Sequence, residues 1–273
     1  MSTASNEYIM GRTSQEYQRL RNQARVWEPV TRRLLGGLEL RAGMSCLDVG
    51  CGPGEVMRVL GEIAGPTGRV AGLDVDGNLG REALGVLQAT TPCHFTFTEG
   101  NVETLEEVPG APFDVTYARI TLVHVRDPIA VLRKMYAWTK PGGYLVVQEY
   151  DNCSLTVYPE WPGMAELEKV LGGVYGQAGR DQFLGRKLPA YFDDAGIGPP
   201  DGSEVASELG PFSQYGPMCK AVYSSLLPIA LKAGITSEAE SEAYFREVEK
   251  ALGESKYTVL FPLLVGVWKR KPS

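Results

Sequence analysis

The sequence predicts an α/β fold in which a doubly wound, mostly parallel sheet of seven strands is covered by helices on both faces. Short apolar runs alternate with helical segments between residues 45 and 149, as strands and crossover helices do. A glycine-rich turn joins the first of these strands to the helix that follows it. The chain of 273 residues is 44% hydrophobic, which suffices to bury a core of this size.

The core elements follow one another in a regular order. An amphipathic helix is predicted over 16–35, where apolar residues recur at three-to-four spacing. Five strands are then predicted, over 45–49, 69–74, 95–99, 113–118 and 144–149. The helices predicted with them lie over 54–64, 79–89 and 128–139. The last of these helices is stopped by the run Lys140-Pro141-Gly142-Gly143.

After Tyr150 the alternation is less regular. Helices are predicted within 161–175 and over 185–195, 213–233 and 237–252, with a sixth strand over 202–209 and a last strand over 256–268. We therefore expect one domain, residues 41–273, with helical insertions near 151–185 and 213–252. Residues 1–40 are predicted to form an N-terminal helical lid over that domain. Aromatic side chains in the insertions suit a wall for an apolar small molecule, although most of them would be core residues.

The charge and composition argue against several classes of function. The net charge of −6 and the scattered basic residues argue against a nucleic-acid partner. The two histidines are not at ligand spacing from any of the five cysteines, so no metal site is expected. The sequence shows no membrane-spanning run and no apolar secretion signal at its start, which predicts a cytoplasmic protein.

The strongest motif is the segment LDVGCGPGE, which ends the first predicted strand and opens the helix after it. Glycines at such a turn let the backbone approach a ligand, and the amides at the helix N-terminus point toward it. Asp74 ends the second predicted strand, where a carboxylate can accept hydrogen bonds from ribose hydroxyls. The glycine spacing is G-x-G-x-G rather than the G-x-G-x-x-G of dinucleotide-binding folds.

With these features, the sequence from about residue 40 to residue 150 resembles the class I S-adenosylmethionine-dependent methyltransferases. The other segments that carry the resemblance are GLDVD, GNVE, FDVTYARITLVHVRDP and KPGGYLVVQEYD. The resemblance implies a Rossmann-like fold, S-adenosyl-L-methionine as cofactor and S-adenosyl-L-homocysteine as product. It implies that the glycine loop holds the methionine part, that Asp74 binds the ribose, and that Val75 and Val102 enclose the adenine. The implied cofactor-binding residues are Asp48, Gly50, Gly52, Gly54, Asp74, Val75, Asn101, Val102 and Arg119, with Tyr8 and Gln23 of the lid as further candidates.

Two residues are candidates for moving a proton during methyl transfer. His124 follows the fourth strand, on the edge where ligands bind, and its ordinary pKa suits a base near neutral pH. Its alternative role is packing and local hydrogen bonding at a helix start. Glu149 ends the fifth strand on the same edge, where its alternative role is to accept hydrogen bonds from loop amides.

The function predicted from these residues is methyl transfer to a small molecule, with secondary metabolites as one candidate class. The alternative is a cyclase or pericyclase that binds the same cofactor without transferring its methyl group. A cofactor-sensing protein without turnover is a further alternative, and an NAD-dependent oxidoreductase fits the glycine spacing poorly. The oligomeric state is left open; in a homo-oligomer the N-terminal helix would be exchanged between subunits.

Overall fold

The computed structural model describes residues 14–273, which form two compact units. We call residues 23–151, 183–206 and 263–273 the sheet unit. The helical unit comprises the described residues 14–22, 152–182 and 207–262. Within residues 14–273, none of the helices has the length and apolar character needed to cross a membrane.

Eight α-helices and ten strands make up the described chain. The helices are α1 Ser14–Gly36, α2 Glu55–Ala64, α3 Gly77–Thr90, α4 Pro128–Ala137, α5 Met164–Gln177, α6 Leu188–Asp194, α7 Phe212–Lys232 and α8 Glu238–Leu252. The strands are β1 Ser45–Val49, β2 Arg69–Asp74, β3 His94–Glu99, β4 Phe113–Arg119, β5 Thr139–Asp151, β6 Thr156–Tyr158, β7 Gly202–Ala206, β8 Leu209–Pro211, β9 Thr258–Leu260 and β10 Leu263–Arg270. A short 3-10 turn, Leu122–His124, follows β4.

The sheet unit is built on a seven-stranded sheet with the order β3-β2-β1-β4-β5-β10-β7. Pairing is parallel from β3 to β5, and β10 is antiparallel to both β5 and β7. The predicted seven-stranded, mostly parallel sheet is therefore confirmed. Because the chain moves outward from β1 to β3 and then returns to β4, the strand order reverses between β1 and β4. Ligands of doubly wound sheets bind beyond the carboxyl ends of the strands at such a reversal.

Both faces of this sheet are covered, because alternate residues of a strand point to opposite sides. On β1, Cys46 packs into one core and Leu47 into the other. The core around Cys46 includes Leu60 of α2, and the core around Leu47 includes Leu132 of α4 and Phe192 of α6. Full burial on both faces explains why β1 reads as a continuous apolar run with a single carboxylate.

The first helix is divided between the two units. Residues 14–22 of α1 belong to the helical unit, whereas residues 23–36 belong to the sheet unit, where Trp27, Leu34 and Leu35 are buried. The lid function of the N-terminal segment stays a prediction, and residues 1–13 lie outside the described part of the chain.

The helical unit contains α5, α7 and α8 and a small antiparallel sheet with the order β6-β9-β8. Its core is aromatic: the rings of Trp161 and Phe212 lie 4.9 Å apart, and those of Tyr223 and Tyr244 lie 3.9 Å apart and are stacked. The helices predicted for this region are present. The aromatic residues Trp161, Phe212 and Tyr223 are core residues, whereas Tyr158 is exposed.

Two predicted strands were wrong in their extent. The segment predicted as one strand over 256–268 forms β9 and β10, which lie in different sheets. The break falls at Pro262, which has no N–H to donate to a ladder. The strand predicted over 202–209 likewise forms β7 and the start of β8. Strands of three residues carry too little alternation to be recognised from sequence, so the small sheet was missed.

Candidate active site

Three glycines form the turn between β1 and α2, and each lies in the left-handed region of backbone space. Their φ angles are +71° at Gly50, +47° at Gly52 and +79° at Gly54. Residues with a Cβ atom rarely adopt such angles, which is why the turn requires glycine. A Cβ at Gly50 would lie 2.4 Å from Thr121 Oγ1, and one at Gly54 would lie 3.0 Å from the Cβ of Ala83. These two glycines therefore also permit close packing inside the protein.

Gly52 differs from the other two glycines of the turn. A Cβ built at Gly52 would meet no atom of residues 14–273 within 4 Å. Its backbone N–H donates a hydrogen bond to Asp74 Oδ2 at 2.8 Å. The middle of the turn thus faces open space, which allows a ligand to approach the backbone closely.

Asp74 stands at the end of β2 and is held by backbone amides. Its Oδ2 accepts from Gly52 N, and its Oδ1 accepts from Asp76 N at 2.8 Å. A carboxylate has about four acceptor positions, and the hydrogen bonds from the ribose hydroxyls to Asp74 stay predictions. Asp76 in turn accepts from Asn78 N and Leu79 N and caps the start of α3. The contacts of Asp74 fix its carboxylate beside the glycine turn.

Asp48 is the carboxylate of β1, and its side chain is almost fully buried. Its Oδ2 atom has no hydrogen-bond partner among the described residues. Burial raises the pKa of Asp48 to about 8, and the positive charge of Arg119 opposes that rise. A buried polar atom without a partner is costly, and a cationic group placed beside it would remove that cost. The site therefore fits a ligand that carries a positive charge near the glycine turn.

Three residues were predicted at the adenine position. Val75 is 39% exposed, and Val102 is buried. The Oδ1 atom of Asn101 accepts a hydrogen bond from Glu103 N at 2.9 Å, which makes Asn101 a turn residue. An exposed valine after β2 is compatible with contact to a flat apolar ring, and the adenine contacts stay predictions.

Glu149 lies on β5 and is fully buried. Its Oε1 accepts hydrogen bonds from Thr121 N at 2.7 Å and from Leu122 N at 2.5 Å. Burial raises the pKa of this carboxyl to about 8, against the lowering effect of the amides of Leu122 and Thr121. These contacts match the second role that the sequence allowed for Glu149, which is to accept hydrogen bonds from loop amides.

His124 ends the short turn after β4 and is half-buried. Its backbone N–H donates to Thr121 O at 3.0 Å. The residue just before this turn region, Ile120, has a φ of +54°, which is rare for a β-branched residue. Strained backbone of this kind is concentrated at functional sites. The structure places His124 on the predicted edge of the sheet, and its role as a base stays a prediction.

Gln23 of α1 lies beside Tyr150, near the end of β5. The hydroxyl of Tyr150 accepts from Gln23 Nε2 at 2.8 Å and from Trp27 Nε1 at 2.5 Å. Gln23 is thus engaged inside the sheet unit rather than on a solvated helix face. Tyr8, the other lid candidate, lies outside the described residues.

A buried polar network beside the site was not predicted. Thr31 Oγ1 donates to Gln148 Oε1 at 2.8 Å, and the hydroxyl of Tyr117 donates to the same oxygen. Arg119 Nη1 donates to Thr31 Oγ1 at 2.9 Å. Thr31 lies four residues after Trp27 on the apolar face of α1, so helical periodicity indicates that it is buried but does not indicate its polar partners. Thr121 lies in the loop after β4, where no periodic pattern indicates burial.

A family model described as a methyltransferase domain matches residues 17–174, more than half of the chain. This match covers the glycine turn, Asp74 and the loop after β4. The chain belongs to the class I S-adenosylmethionine-dependent methyltransferases. The cofactor of these methyltransferases is S-adenosylmethionine, and the open space at Gly52 together with the buried carboxyl of Asp48 fits it.

Among other methyltransferases, the demethylmenaquinone methyltransferase of Lactococcus lactis is 32% identical over 135 residues, covering 50% of this chain and 52% of that protein. A structure from Bacillus halodurans C-125, described as a candidate methyltransferase, superposes with a TM-score of 0.61 at 14% identity, covering 89% of this chain and 99% of the other. The chain also superposes on a phosphoethanolamine N-methyltransferase of Haemonchus contortus with a TM-score of 0.59 at 16% identity, covering 99% of this chain and 61% of the other. That structure is a complex with phosphomonomethylethanolamine and S-adenosylhomocysteine.

These similarities differ in what they support. The two solved structures share the fold, which confirms the predicted Rossmann-like methyltransferase architecture. The chain spans about half the length of the first curated relatives that it matches. Among residues 14–273, no cluster of three or more His, Cys, Asp or Glu side chains is arranged to hold a metal ion.

Proposed function

We propose that this protein transfers a methyl group from S-adenosylmethionine to a small-molecule acceptor, with secondary metabolites as one candidate class. The observation that carries the proposal is the glycine turn of the family motif, where an added Cβ at Gly52 would meet no described atom within 4 Å. Asp48, on the strand that leads into this turn, has a buried oxygen without a hydrogen-bond partner among the described residues. When bound, S-adenosylmethionine supplies a methyl group on a positively charged sulfur. The remaining steps belong to residues of this chain.

The chain would hold the cofactor from three sides. The turn around Gly52 would contact its methionine part, and Asp48 would neutralise a positive charge there. Asp74, already fixed by the amides of Gly52 and Asp76, would accept hydrogen bonds from the ribose. Val75, Asn101 and Val102 would border the adenine. This arrangement would orient the cofactor with its reactive group toward the β4 and β5 ends of the sheet.

A small-molecule acceptor is favoured by the charge of the chain and by one relative. The net charge of −6 disfavours binding to a nucleic acid. The Lactococcus relative is named for demethylmenaquinone, a small molecule. An alcohol, phenol or protonated amine must lose a proton during methylation, and half-buried His124 is our candidate base for that step.

The proposal is tested with purified protein, methyl-labelled S-adenosylmethionine and a fractionated small-molecule extract, read by mass spectrometry. We expect a labelled product that is heavier than its precursor by one methyl group. Asp48→Asn serves as a control, because it loses the charge that would favour a cationic ligand and should slow product formation at low cofactor concentration. A product of unchanged mass that forms only with the cofactor present would contradict methyl transfer and support the cyclase alternative. Tight cofactor binding with no product from any fraction would support a sensor.

A further inference from the structure

The loop after β4, residues 120–124, has a strained backbone that something must hold in place. Ile120 adopts a φ of +54°, although β-branched residues strongly disfavour this region. Such a conformation persists only where surrounding contacts outweigh its cost. The contacts that hold this loop come from β5: Gln148 O accepts from Ile120 N at 2.8 Å, and Glu149 Oε1 accepts from the next two amides.

The same loop contacts the glycine turn. Thr121 Oγ1 donates to Val49 O at 3.0 Å. The close approach is also visible at Gly50, where a Cβ would lie 2.4 Å from Thr121 Oγ1. Thr121 is therefore packed directly against the backbone that leads into the turn. This contact lies where the strand order reverses, between β1 and β4.

We propose that Glu149 is a positioning residue for cofactor binding, which acts by holding the amides of Thr121 and Leu122 so that the Thr121 side chain fixes the glycine turn. The chain of contacts runs from β5 through the loop to β1 and uses one oxygen of Glu149. In this role Glu149 does not exchange a proton with the substrate. The inference extends the proposed methyl transfer, but its main readout is cofactor affinity, which does not depend on that reaction.

The surroundings of Glu149 agree with this role. The side chain is fully buried, one oxygen is engaged by two amides, and Oε2 has no hydrogen-bond partner among the described residues. Burial raises the pKa of the carboxyl to about 8, so it is mainly neutral at pH 7. Glutamine has the shape of that neutral form and keeps an acceptor oxygen for the loop amides. The positioning role therefore tolerates glutamine, whereas a proton-transfer role does not.

The decisive comparison is between Glu149→Gln and Glu149→Met. Methionine fills a similar volume without an acceptor oxygen, so two buried amides lose their partner. We expect E149M to raise the dissociation constant for S-adenosylhomocysteine, measured by calorimetry, by about tenfold or more. E149Q is expected to restore that constant to within about threefold of the natural protein. In the methyl-transfer assay, E149M should raise KM for the cofactor more than it lowers kcat.

Variants of Thr121 test the second contact independently. Thr121→Val removes the hydroxyl that donates to Val49 O, and Thr121→Ser keeps it. T121V should weaken cofactor binding and T121S should not. In the double variant E149M/T121V, the loss of cofactor-binding free energy should be smaller than the sum of the losses in the two single variants, because both residues act through one loop. Glu249→Gln, at an exposed position of α8, is the control for a glutamate-to-glutamine change outside this loop and should leave cofactor affinity unchanged.

Three results would overturn the inference. One is an E149Q variant that binds S-adenosylhomocysteine normally but loses most of its kcat, which would make Glu149 a proton-transfer residue. Another is a folded E149M variant with unchanged cofactor affinity. If circular dichroism shows that E149M is unfolded, the comparison of T121V with T121S tests the inference instead. Equal affinities of these two variants for S-adenosylhomocysteine would then overturn it. A failure of the proposed reaction is distinguished from all of these, because the natural protein would then bind the cofactor without making a product.

Discussion

The three glycines of the turn after β1 require glycine for different reasons. Gly50 and Gly54 have no room for a Cβ beside Thr121 and Ala83, whereas Gly52 has room on the protein side and is constrained only by its backbone angle. Substitution at Gly50 therefore disturbs packing inside the protein. Substitution at Gly52 places a methyl group in the space that we assign to the cofactor.

We expect Gly52→Ala to weaken cofactor binding by about tenfold or more, while lowering stability by only about 1 kcal/mol through its positive φ. The measurements are the dissociation constant for S-adenosylhomocysteine and the midpoint of urea unfolding. Gly198→Ala is a matched control, since Gly198 also has a positive φ and no atom within 4 Å of an added Cβ. G198A should show a similar loss of stability with normal affinity. Equal affinities of G52A and G198A would contradict the placement of the cofactor.

At the scale of elements, the second half of α1 is attached to the sheet by polar as well as apolar contacts. Thr31 links the helix to Gln148 of β5 and to Arg119 of β4. Trp27 donates to the hydroxyl of Tyr150 and packs against its ring at 5.8 Å. These contacts explain why residues 23–36 belong to the sheet unit.

We expect Thr31→Val to lower the free energy of unfolding by about 1–3 kcal/mol, because Arg119 Nη1 and Gln148 Oε1 each lose a buried partner. Valine has nearly the same shape as threonine, so the change is mainly one of hydrogen bonding. Thr31→Ser keeps the hydroxyl and serves as the control. Urea unfolding measures both variants, and a T31V midpoint equal to that of the natural protein would show that the network contributes nothing to stability.

At the scale of the whole molecule, two buried carboxyls with raised pKa values, those of Asp48 and Glu149, make stability depend on pH. Burial raises the pKa values of Asp48 and Glu149 to about 8 in the folded protein, above their ordinary values of 3.8 and 4.5. The folded protein therefore retains two protons that the unfolded chain releases at lower pH. Stability falls as pH rises from those ordinary values through about 8.

We expect the urea midpoint of the cofactor-free protein to fall between about pH 5.5 and about pH 8.5. Asp48→Asn cannot ionise, so its midpoint should fall less over the same range. Carboxyls with lowered pKa, such as Asp114 and Asp201, titrate below this window and do not interfere. A D48N variant with the same pH slope as the natural protein would show that Asp48 is already ionised in the folded state.

Much of the fold was predictable because its signals are local. The glycine turn, the apolar runs of β1 to β5 and the acidic ends of β1 and β2 occupy short stretches of sequence. The start of α8 was also predicted closely: the helix was expected from residue 237 and begins at Glu238, with Ser237 as its cap. The division of the segment 256–268 between two sheets could not be predicted from the sequence, because strand pairing depends on partners that are distant along the chain.

The sequence by itself determined the family, the seven-stranded sheet and the position of the glycine turn, because these depend on hydrophobic periodicity and on backbone angles that only glycine adopts readily. Only the tertiary structure decided what the polar side chains do. For Glu149 the sequence allowed either a base or a partner of loop amides, and the structure shows its contacts with two such amides. The sequence did not indicate the hydrogen bonds of Thr31 and Thr121, since a threonine acquires its partners from residues that folding brings within about 3 Å.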